Sequence, residues 1–172
     1  MKINTSDLKQ KARELRAGDT VLLSGTVYTA RDAAHAKLCK MIGAGEPLPF
    51  ALDGAVIYYA GPTPARDGAV IGSCGPTTSS RMDKFTPTLI ENGLLGMIGK
   101  GKRSPDVVKA MKSRRAVYFC AIGGAGALAA KCIKKAEVIA FDELGCEAVR
   151  KLEVEDFPLI VGIDADGNSA LK

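Results

Sequence analysis

Apolar residues recur along the chain in short runs, and these runs alternate with stretches in which the apolar positions fall three or four residues apart. Runs of β-branched and aromatic residues are typical of strands, whereas the wider spacing is typical of one face of a helix. The runs predict strands at 1–5, 20–29, 54–60, 69–72, 94–99, 116–122, 136–141, 149–154 and 159–163. The spacing predicts helices at 8–15, 31–41, 86–92, 104–111 and 126–131.

The order of these elements predicts the fold class. Strands alternate with short helices, but several strands follow one another with no helix between them, which predicts a mixed α/β sheet with short flanking helices. Gly25, inside the 20–29 strand, predicts a bulge or a close backbone approach. A chain of 172 residues is expected to fold as a single domain, 1–172.

Composition favours a globular protein with an aliphatic core, because 47% of the residues are hydrophobic while only 5% are aromatic and none is Trp. No apolar run approaches the ~20 residues that a membrane-spanning helix requires, so we expect no membrane partner. Residues 1–7 lack the apolar core of a signal peptide, and we therefore expect a cytoplasmic protein.

The net charge of +5 comes from Lys and Arg residues that are spread along the chain. A nucleic-acid-binding protein would cluster these residues together with exposed aromatic side chains. We therefore expect no nucleic-acid partner. An anionic substrate or an acidic partner surface accounts for the excess positive charge.

The chain has five cysteines, an odd number, and no two of them have C-x-x-C spacing: Cys39, Cys74, Cys120, Cys132 and Cys146. This pattern argues against a zinc site and against a four-cysteine iron–sulfur motif. We expect reduced, mostly buried thiols and no metal or cofactor ligand on this chain. Cys74 stands apart because it lies inside the candidate site described next.

Residues 73–83, Ser-Cys-Gly-Pro-Thr-Thr-Ser-Ser-Arg-Met-Asp, follow the predicted 69–72 strand and place four hydroxyl side chains after a Gly-Pro break. A strand that ends in such a turn leaves backbone N–H groups unpaired, and together with the planar fork of Arg81 these groups predict an anion site. The alternative is a helix cap, in which Thr or Ser caps the backbone without any ligand.

Three further positions are candidates for the same site. Arg31 lies at the start of a predicted helix, where the partial positive charge of the N-terminus disfavours a cation, so its placement favours a role in binding an anion. A salt bridge with a nearby carboxylate is the alternative for Arg31. His35 shares a helix face with Arg31, but a lone histidine is more typical of a structural role. Lys100 follows the carboxyl end of a predicted strand, where open α/β sheets bind ligands; the alternative is a solvated loop lysine.

Residues 123–126, Gly-Gly-Ala-Gly, lie between a predicted strand and a predicted helix. This order invites a dinucleotide-binding interpretation, but the G-x-G-x-x-G spacing is absent. A tight packing turn is the favoured interpretation, and its N–H groups could still contact an anion.

Residues 75–83, Gly-Pro-Thr-Thr-Ser-Ser-Arg-Met-Asp, resemble the signature of the beta subunit, or C-terminal domain, of class I iron–sulfur fumarases and the related tartrate dehydratases. Three other stretches resemble the same family: 29–35 (Thr-Ala-Arg-Asp-Ala-Ala-His), 100–104 (Lys-Gly-Lys-Arg-Ser) and 152–158 (Leu-Glu-Val-Glu-Asp-Phe-Pro). These blocks occur in the family order and span nearly the whole chain. The resemblance implies a swivelling β/β/α domain.

The resemblance implies the beta subunit of a fumarate hydratase, a hydro-lyase that reversibly hydrates fumarate to L-malate. In that family three cysteines of the alpha subunit hold a 4Fe–4S cluster, and this chain lacks such a grouping. The implied partners are therefore an alpha subunit, in a hetero-oligomer, and a small dicarboxylate; a homo-oligomer is the alternative for the isolated chain. Tartrate dehydratase and a non-catalytic assembly module are the alternative functions. The Lys-Gly-Lys-Arg-Ser stretch favours the fumarase.

The resemblance also implies a role for each matched residue. Arg31 corresponds to an arginine that binds a substrate carboxylate. Thr77 corresponds to a substrate-binding residue proposed to act as the base at the carbon that loses its proton, and Arg81 to a second arginine, the candidate activator of that threonine. Lys100 corresponds to a carboxylate-binding lysine, although the segment between Arg81 and Lys100 is one residue shorter than in the long single-chain fumarases. His35 is a lesser candidate for catalytic proton transfer.

Overall fold

The computed structural model describes residues 1–121 and 126–172. Its strands are β1 (Lys2–Asn4), β2 (Thr20–Thr29), β3 (Val56–Tyr58), β4 (Gly96–Gly99), β5 (Val117–Cys120), β6 (Ile133–Ala140) and β7 (Val149–Ile163). Its α-helices are α1 (Leu8–Lys11), α2 (Asp32–Gly43), α3 (Thr86–Glu91), α4 (Pro105–Arg114) and α5 (Gly126–Cys132). Short 3₁₀ turns cover Thr5–Asp7, Ser79–Met82 and Asp142–Glu147.

Within these described residues, seven strands form one mixed sheet that closes on itself. β2, β3, β4 and β5 lie side by side and run parallel. β7 runs antiparallel to both β5 and β2, so the sheet closes through β7. β1 pairs in parallel with β2, and β6 pairs antiparallel with β7. The prediction of a mixed α/β sheet with short flanking helices is confirmed, and the closed sheet is consistent with the implied swivelling domain.

Alternating side chains of the strands build two apolar clusters. On β5, Val117 and Phe119 join buried residues from all five strands of the closed part of the sheet, and this cluster fills its inside. Tyr118, between them, faces the other way and packs with residues of α2, α3 and α4. Successive strand residues point to opposite faces of a sheet, so one alternating pattern supplies both clusters. Across residues 1–121 and 126–172, no helix has the length and apolar character needed to cross a membrane.

The predicted strand at 69–72 is wrong. Its apolar run lies in an irregular segment, and Val70 is 50% exposed. The segment folds back on Thr63 and does not join the sheet: Thr63 N donates to Ser73 O at 3.0 Å, and Ser73 N donates to Thr63 Oγ1 at 2.9 Å. A short apolar run cannot by itself show whether a partner strand lies within reach.

Smaller differences concern where elements end. The strands predicted at 149–154 and 159–163 form the single strand β7, which passes through Asp156 at a φ of 49° and pairs with β2 on both sides of it. The predicted bulge at Gly25 is confirmed, because the β2–β7 register shifts between Leu23 and Gly25. The helix predicted at 8–15 is shorter, and α1 ends at Lys11. Of the glycine turn predicted at 123–126, residues 123–125 lie outside the described residues, and α5 begins at Gly126.

The carboxyl ends of β2, β3 and β4 lie at one edge of the sheet, because these strands are parallel. β2 leads through Ala30 and Arg31 into α2, and β4 leads directly into Lys100. β3 leads into the irregular segment that reaches residues 73–83. This edge is where α/β sheets place their ligands.

Candidate functional site

Residues 77–79 lie across the carboxyl ends of β3 and β4. Thr77 N donates to Tyr59 O at 2.7 Å, and Ser79 N donates to Lys100 O at 2.9 Å. Thr78 forms an isolated parallel bridge with Lys100. The half-buried Thr77 therefore sits at the end of β3, and the exposed Lys100 lies beside Thr78 at the end of β4.

Two observations limit the two interpretations of this segment, the anion site and the helix cap. The N–H group of Cys74 donates to Gly126 O at 3.1 Å, and those of Thr77 and Ser79 are also taken by carbonyl groups, so they are not free for an anion. Thr78 precedes the turn Ser79–Met82, but its side chain caps no backbone group of that turn among the described residues.

A close approach between Ser79 and Gly99 fixes the segment on the sheet. A Cβ atom on Gly99 would overlap Ser79 Oγ and lie 2.8 Å from the Tyr59 ring, so this position requires glycine. The buried Ser79 Oγ lies 2.8 Å from Tyr118 Oη, which itself donates to Gly101 O at 2.8 Å. Because that tyrosine proton is already used, the Ser79 hydroxyl is the donor to Tyr118.

Arg81 is joined to Asp32, the first residue of α2. Its Nε and Nη2 atoms both lie 3.0 Å from Asp32 Oδ2. The arginine side chain is 53% exposed and the aspartate side chain 35% exposed. This ion pair connects the segment after β3 to the helix after β2, so it brings the two motifs together at the same edge.

Arg31 precedes α2 in an extended conformation. Its side chain passes over Gly61, where a Cβ atom would lie 3.1 Å from Arg31 Cδ and 3.1 Å from Cys146 O. Arg31 Nε lies 3.7 Å from Glu147 Oε1, which is within ion-pair range but too long for a hydrogen bond. The salt bridge considered for Arg31 is therefore present in a weak form that leaves its donors free for a better acceptor.

His35 is fully buried beneath Arg31. Its Nδ1 atom lies 2.8 Å from Arg31 O, and its ring packs at 5.4 Å from the Tyr59 ring and at 6.0 Å from the Phe85 ring. Burial lowers the pKa of His35 to about 4, so the ring is neutral at pH 7. Because a carbonyl oxygen only accepts hydrogen bonds, we assign the proton to Nδ1, which leaves an unprotonated Nε2. His35 thereby supports the Arg31 backbone, and its role in proton transfer stays a prediction.

Three buried side-chain atoms in this first turn of α2 have no hydrogen-bond partner among residues 1–121 and 126–172: Arg31 Nε, Asp32 Oδ1 and His35 Nε2. An unsatisfied buried polar group costs about 1–3 kcal/mol, and native proteins contain few of them. One donor and two acceptors left unsatisfied within five consecutive residues indicate a polar surface that needs a further group to complete it.

Arg103 was not predicted as part of the site, yet it holds the site's framework together. Its buried guanidinium donates from Nε to Asp83 Oδ1 at 2.7 Å and from Nη2 to Tyr59 Oη at 3.1 Å and Thr86 Oγ1 at 2.9 Å. It also lies about midway between the Tyr59 and Tyr118 rings, at 5.1 Å and 4.9 Å. The sequence signal was the presence of Asp83 and Arg103 in two of the family blocks, but nothing in the sequence pairs them.

Cys74 lies buried under the segment it belongs to. Burial raises the pKa of its thiol to about 12, so the thiol stays protonated at neutral pH. Tyr58 Oη donates to Cys74 O at 2.6 Å and anchors the backbone there.

In the described parts of the chain, no three His, Cys, Asp or Glu side chains are grouped so that they could hold a metal ion.

The structure thus brings Arg31, Thr77, Arg81 and Lys100 to the carboxyl-end edge of β2, β3 and β4, with His35 beneath them. Two guanidinium groups, an ammonium group and a hydroxyl group at one edge can bind a small molecule with more than one carboxylate. Asp32, which pairs with Arg81, was not predicted. Its position beside Arg31 in the 29–35 block was the available signal.

The whole chain, residues 1–172, matches the family model described as Fumarase C-terminus. It is 43% identical over 163 residues to Fumarate hydratase 2 of Leishmania major, in a match that covers 94% of this chain and 29% of that protein. It is 45% identical over 148 residues to the anaerobic class I fumarate hydratase of Escherichia coli, covering 85% of this chain and 27% of that protein.

A third relative is provisionally named as a subunit. The chain is 42% identical over 167 residues to a Methanocaldococcus jannaschii protein provisionally named L(+)-tartrate dehydratase subunit beta, and the match covers 94% of this chain and 86% of that protein. The chain therefore spans less than a third of the two fumarate hydratases and most of this subunit.

Proposed function

Because the chain belongs to the Fumarase C-terminus family, we propose that it is the beta subunit of a class I fumarate hydratase, which interconverts fumarate and L-malate. One observation carries this proposal: Arg31, Thr77, Arg81 and Lys100 share one edge of the sheet, next to a helix turn with three unsatisfied buried polar atoms. Such a surface suits one wall of a pocket for a dicarboxylate, closed by a second protein surface.

An alpha subunit would supply that second surface, in a hetero-oligomer. The length of the relatives supports this, since the match covers 86% of the protein provisionally named a beta subunit but only 29% of the longer Leishmania protein. We place the 4Fe–4S cluster on the alpha subunit as well. The described residues of this chain do not fit such a cluster, because they contain no group of three thiol, imidazole or carboxylate ligands. This chain's part in the reaction therefore rests on its own side chains.

Each side chain has a distinct part in this proposal. Arg31 and Lys100 bind and orient substrate carboxylates, and Arg81 places positive charge where the aci-carboxylate develops as the neighbouring carbon loses its proton. Thr77 takes that proton. A neutral hydroxyl is a weak base, so Thr77 must be activated, and Arg81 is the proposed activator. His35 fixes the backbone of Arg31 and is the lesser candidate for proton transfer.

Activity of the reconstituted alpha–beta complex tests the proposal. Thr77→Val and Arg81→Ala should each lower kcat/KM for L-malate by about 100-fold or more, in the range found when a transition-state contact is removed. The control is Arg13→Ala, an exposed arginine outside this edge, which should leave kcat/KM unchanged. Full activity of both site variants, or full activity of the beta chain alone, would contradict the proposal.

Tartrate dehydratase is the second candidate, and the observation that favours it is the match to nearly the whole of the Methanocaldococcus jannaschii subunit. The two substrates differ by one hydroxyl group. Turnover of L-malate and of L(+)-tartrate by the same reconstituted complex decides between them. Activity on tartrate alone would replace the fumarase proposal, and activity on neither would favour a non-catalytic assembly module.

A further inference from the structure

Asp32 holds Arg81 in an unusual way. One oxygen, Oδ2, accepts a hydrogen bond from Nε at 3.0 Å and lies 3.0 Å from Nη2 of the same guanidinium. The other oxygen, Oδ1, is buried and has no hydrogen-bond partner among the described residues. An arginine offers five N–H donors in a planar fork, so this side-on contact leaves both Nη1 donors and one Nη2 donor for another acceptor. These remaining donors form the end of the fork, which matches a second carboxylate.

Asp32 is itself well fixed. It is the first residue of α2, where the partial positive charge of the helix N-terminus favours a carboxylate. The backbone just before it is held through the hydrogen bond between Arg31 O and His35 Nδ1. Arg81, in contrast, lies on a short 3₁₀ turn with its side chain half exposed. The rigid partner is therefore the aspartate, and the arginine takes its orientation from it.

We infer that Asp32 is a positioning residue, which holds the Arg81 guanidinium side-on so that the end of its fork stays available to a substrate carboxylate. The inference rests on the proposed function. Asp32 also follows Arg31 directly, so one peptide unit links the first carboxylate-binding arginine to the residue that orients the second. The spacing between the two arginines, and with it the length of diacid that fits, then depends on this dipeptide.

The experiment is a double-mutant cycle in the reconstituted alpha–beta complex, with kcat and KM for L-malate as the readouts. Asp32→Asn keeps the shape of the side chain and removes its charge. It should raise KM by about tenfold and change kcat less, because a mobile arginine must be ordered when substrate binds. In an Arg81→Ala background, Asp32→Asn should have no further effect, because Asp32 acts only through Arg81. If the activity of Arg81→Ala is too low to measure, Arg81→Lys replaces it. In the Arg81→Lys background, Asp32→Asn should change KM by less than threefold.

Two further variants separate positioning from general stability. Asp53→Asn removes an exposed ion pair of the same length, Lys9 Nζ to Asp53 Oδ2 at 3.0 Å, and should leave both constants unchanged. Asp32→Glu restores the charge on a longer side chain, so it should recover part of the KM and shift the preference among inhibitory diacids toward a different chain length. Circular dichroism confirms that each variant is folded.

The outcomes are distinguishable. An unchanged KM in Asp32→Asn, or a tenfold effect that persists in the Arg81 background, would overturn the positioning role while leaving the proposed function intact. If Arg81→Ala itself retained full activity, the proposed site would be wrong, and the positioning role would fall with it.

Discussion

The carboxylate of Asp83 accepts a hydrogen bond from Arg103 Nε at 2.7 Å with one oxygen and from the backbone N–H of Ser104 at 2.8 Å with the other. Ser104 in turn caps α4, since its Oγ accepts from Val107 N. The Asp83 side chain, which is 13% exposed, thus joins the end of the 73–83 segment to the start of α4. The site's framework depends on this pair even though neither residue is proposed to touch substrate.

Asp83→Ala is expected to lower the free energy of unfolding by about 3–5 kcal/mol, because it leaves the Arg103 guanidinium buried without its counter-ion. Denaturant titration of the isolated chain measures this loss. The matched control is Asp166→Ala, which removes an exposed ion pair with Arg115 of 3.0 Å and should cost about 0–1 kcal/mol. Equal losses in the two variants would contradict a structural role for Asp83.

Gly99→Ala is expected to destabilise the protein by about 1–3 kcal/mol and to lower the activity of the complex, because the new Cβ atom must displace Ser79 and the Tyr59 ring. Thermal unfolding and kcat/KM for L-malate are the measurements. Gly43→Ala, in α2, meets no atom within 4 Å and should be neutral or slightly stabilising. A Gly99→Ala variant with native stability and activity would show that residues 77–79 need not pack this closely on β4.

Because of His35, the free energy of unfolding is expected to decrease as the pH falls. Its pKa is about 4 in the folded chain against 6.5 for the free side chain, so between these values the unfolded chain binds the proton and the folded chain does not. The contribution of His35 to the free energy of unfolding is complete above pH 6.5, declines as the pH falls toward 4 and then stays constant. At about 1.4 kcal/mol per pKa unit, the total loss is about 3 kcal/mol.

The check on His35 is the unfolding free energy of wild type and of His35→Gln, measured from pH 7 to pH 4. Other groups titrate in this range, but they are common to both proteins and cancel in the difference. The wild type should lose about 3 kcal/mol more than the variant over this interval. Parallel curves would mean that His35 is accessible to protons in the folded protein.

Cys74 is expected to resist alkylation in the folded chain, because burial shields its thiol and raises its pKa to about 12. Cys146 is exposed and serves as the internal control. Iodoacetamide at pH 7.5 should alkylate Cys146 and leave Cys74 unmodified until denaturant is added. Peptide mass spectrometry measures the alkylation of each residue. Similar labelling of both residues under native conditions would contradict the buried placement of Cys74.

Elements with strong local signals were predictable from the sequence. α4 begins after the Ser104 cap with Pro105 at its first position, as the Ser-Pro-Asp start predicts, and β5 lies within the predicted apolar run. The strand predicted at 69–72 was wrong because this run lies in an irregular segment, which Ser73 ties to Thr63 by hydrogen bonds and which pairs with no strand among the described residues. The prediction of two separate strands within β7 was wrong because β2 pairs with β7 from Arg150 to Ile160, on both sides of Asp156.

By itself, the sequence determined the mixed α/β class, most of the helices and strands, and the family, because these depend on residues close together in the chain and on the order of its motifs. It also placed Arg31 and Lys100 just past the ends of two strands. Only the tertiary structure decided which charges meet: Arg81 pairs with Asp32, 49 residues away, and Arg103 pairs with Asp83, 20 residues away. The physical reason is that such pairs form where the closed sheet brings separate connections to one edge, and local periodicity carries no information about that distance.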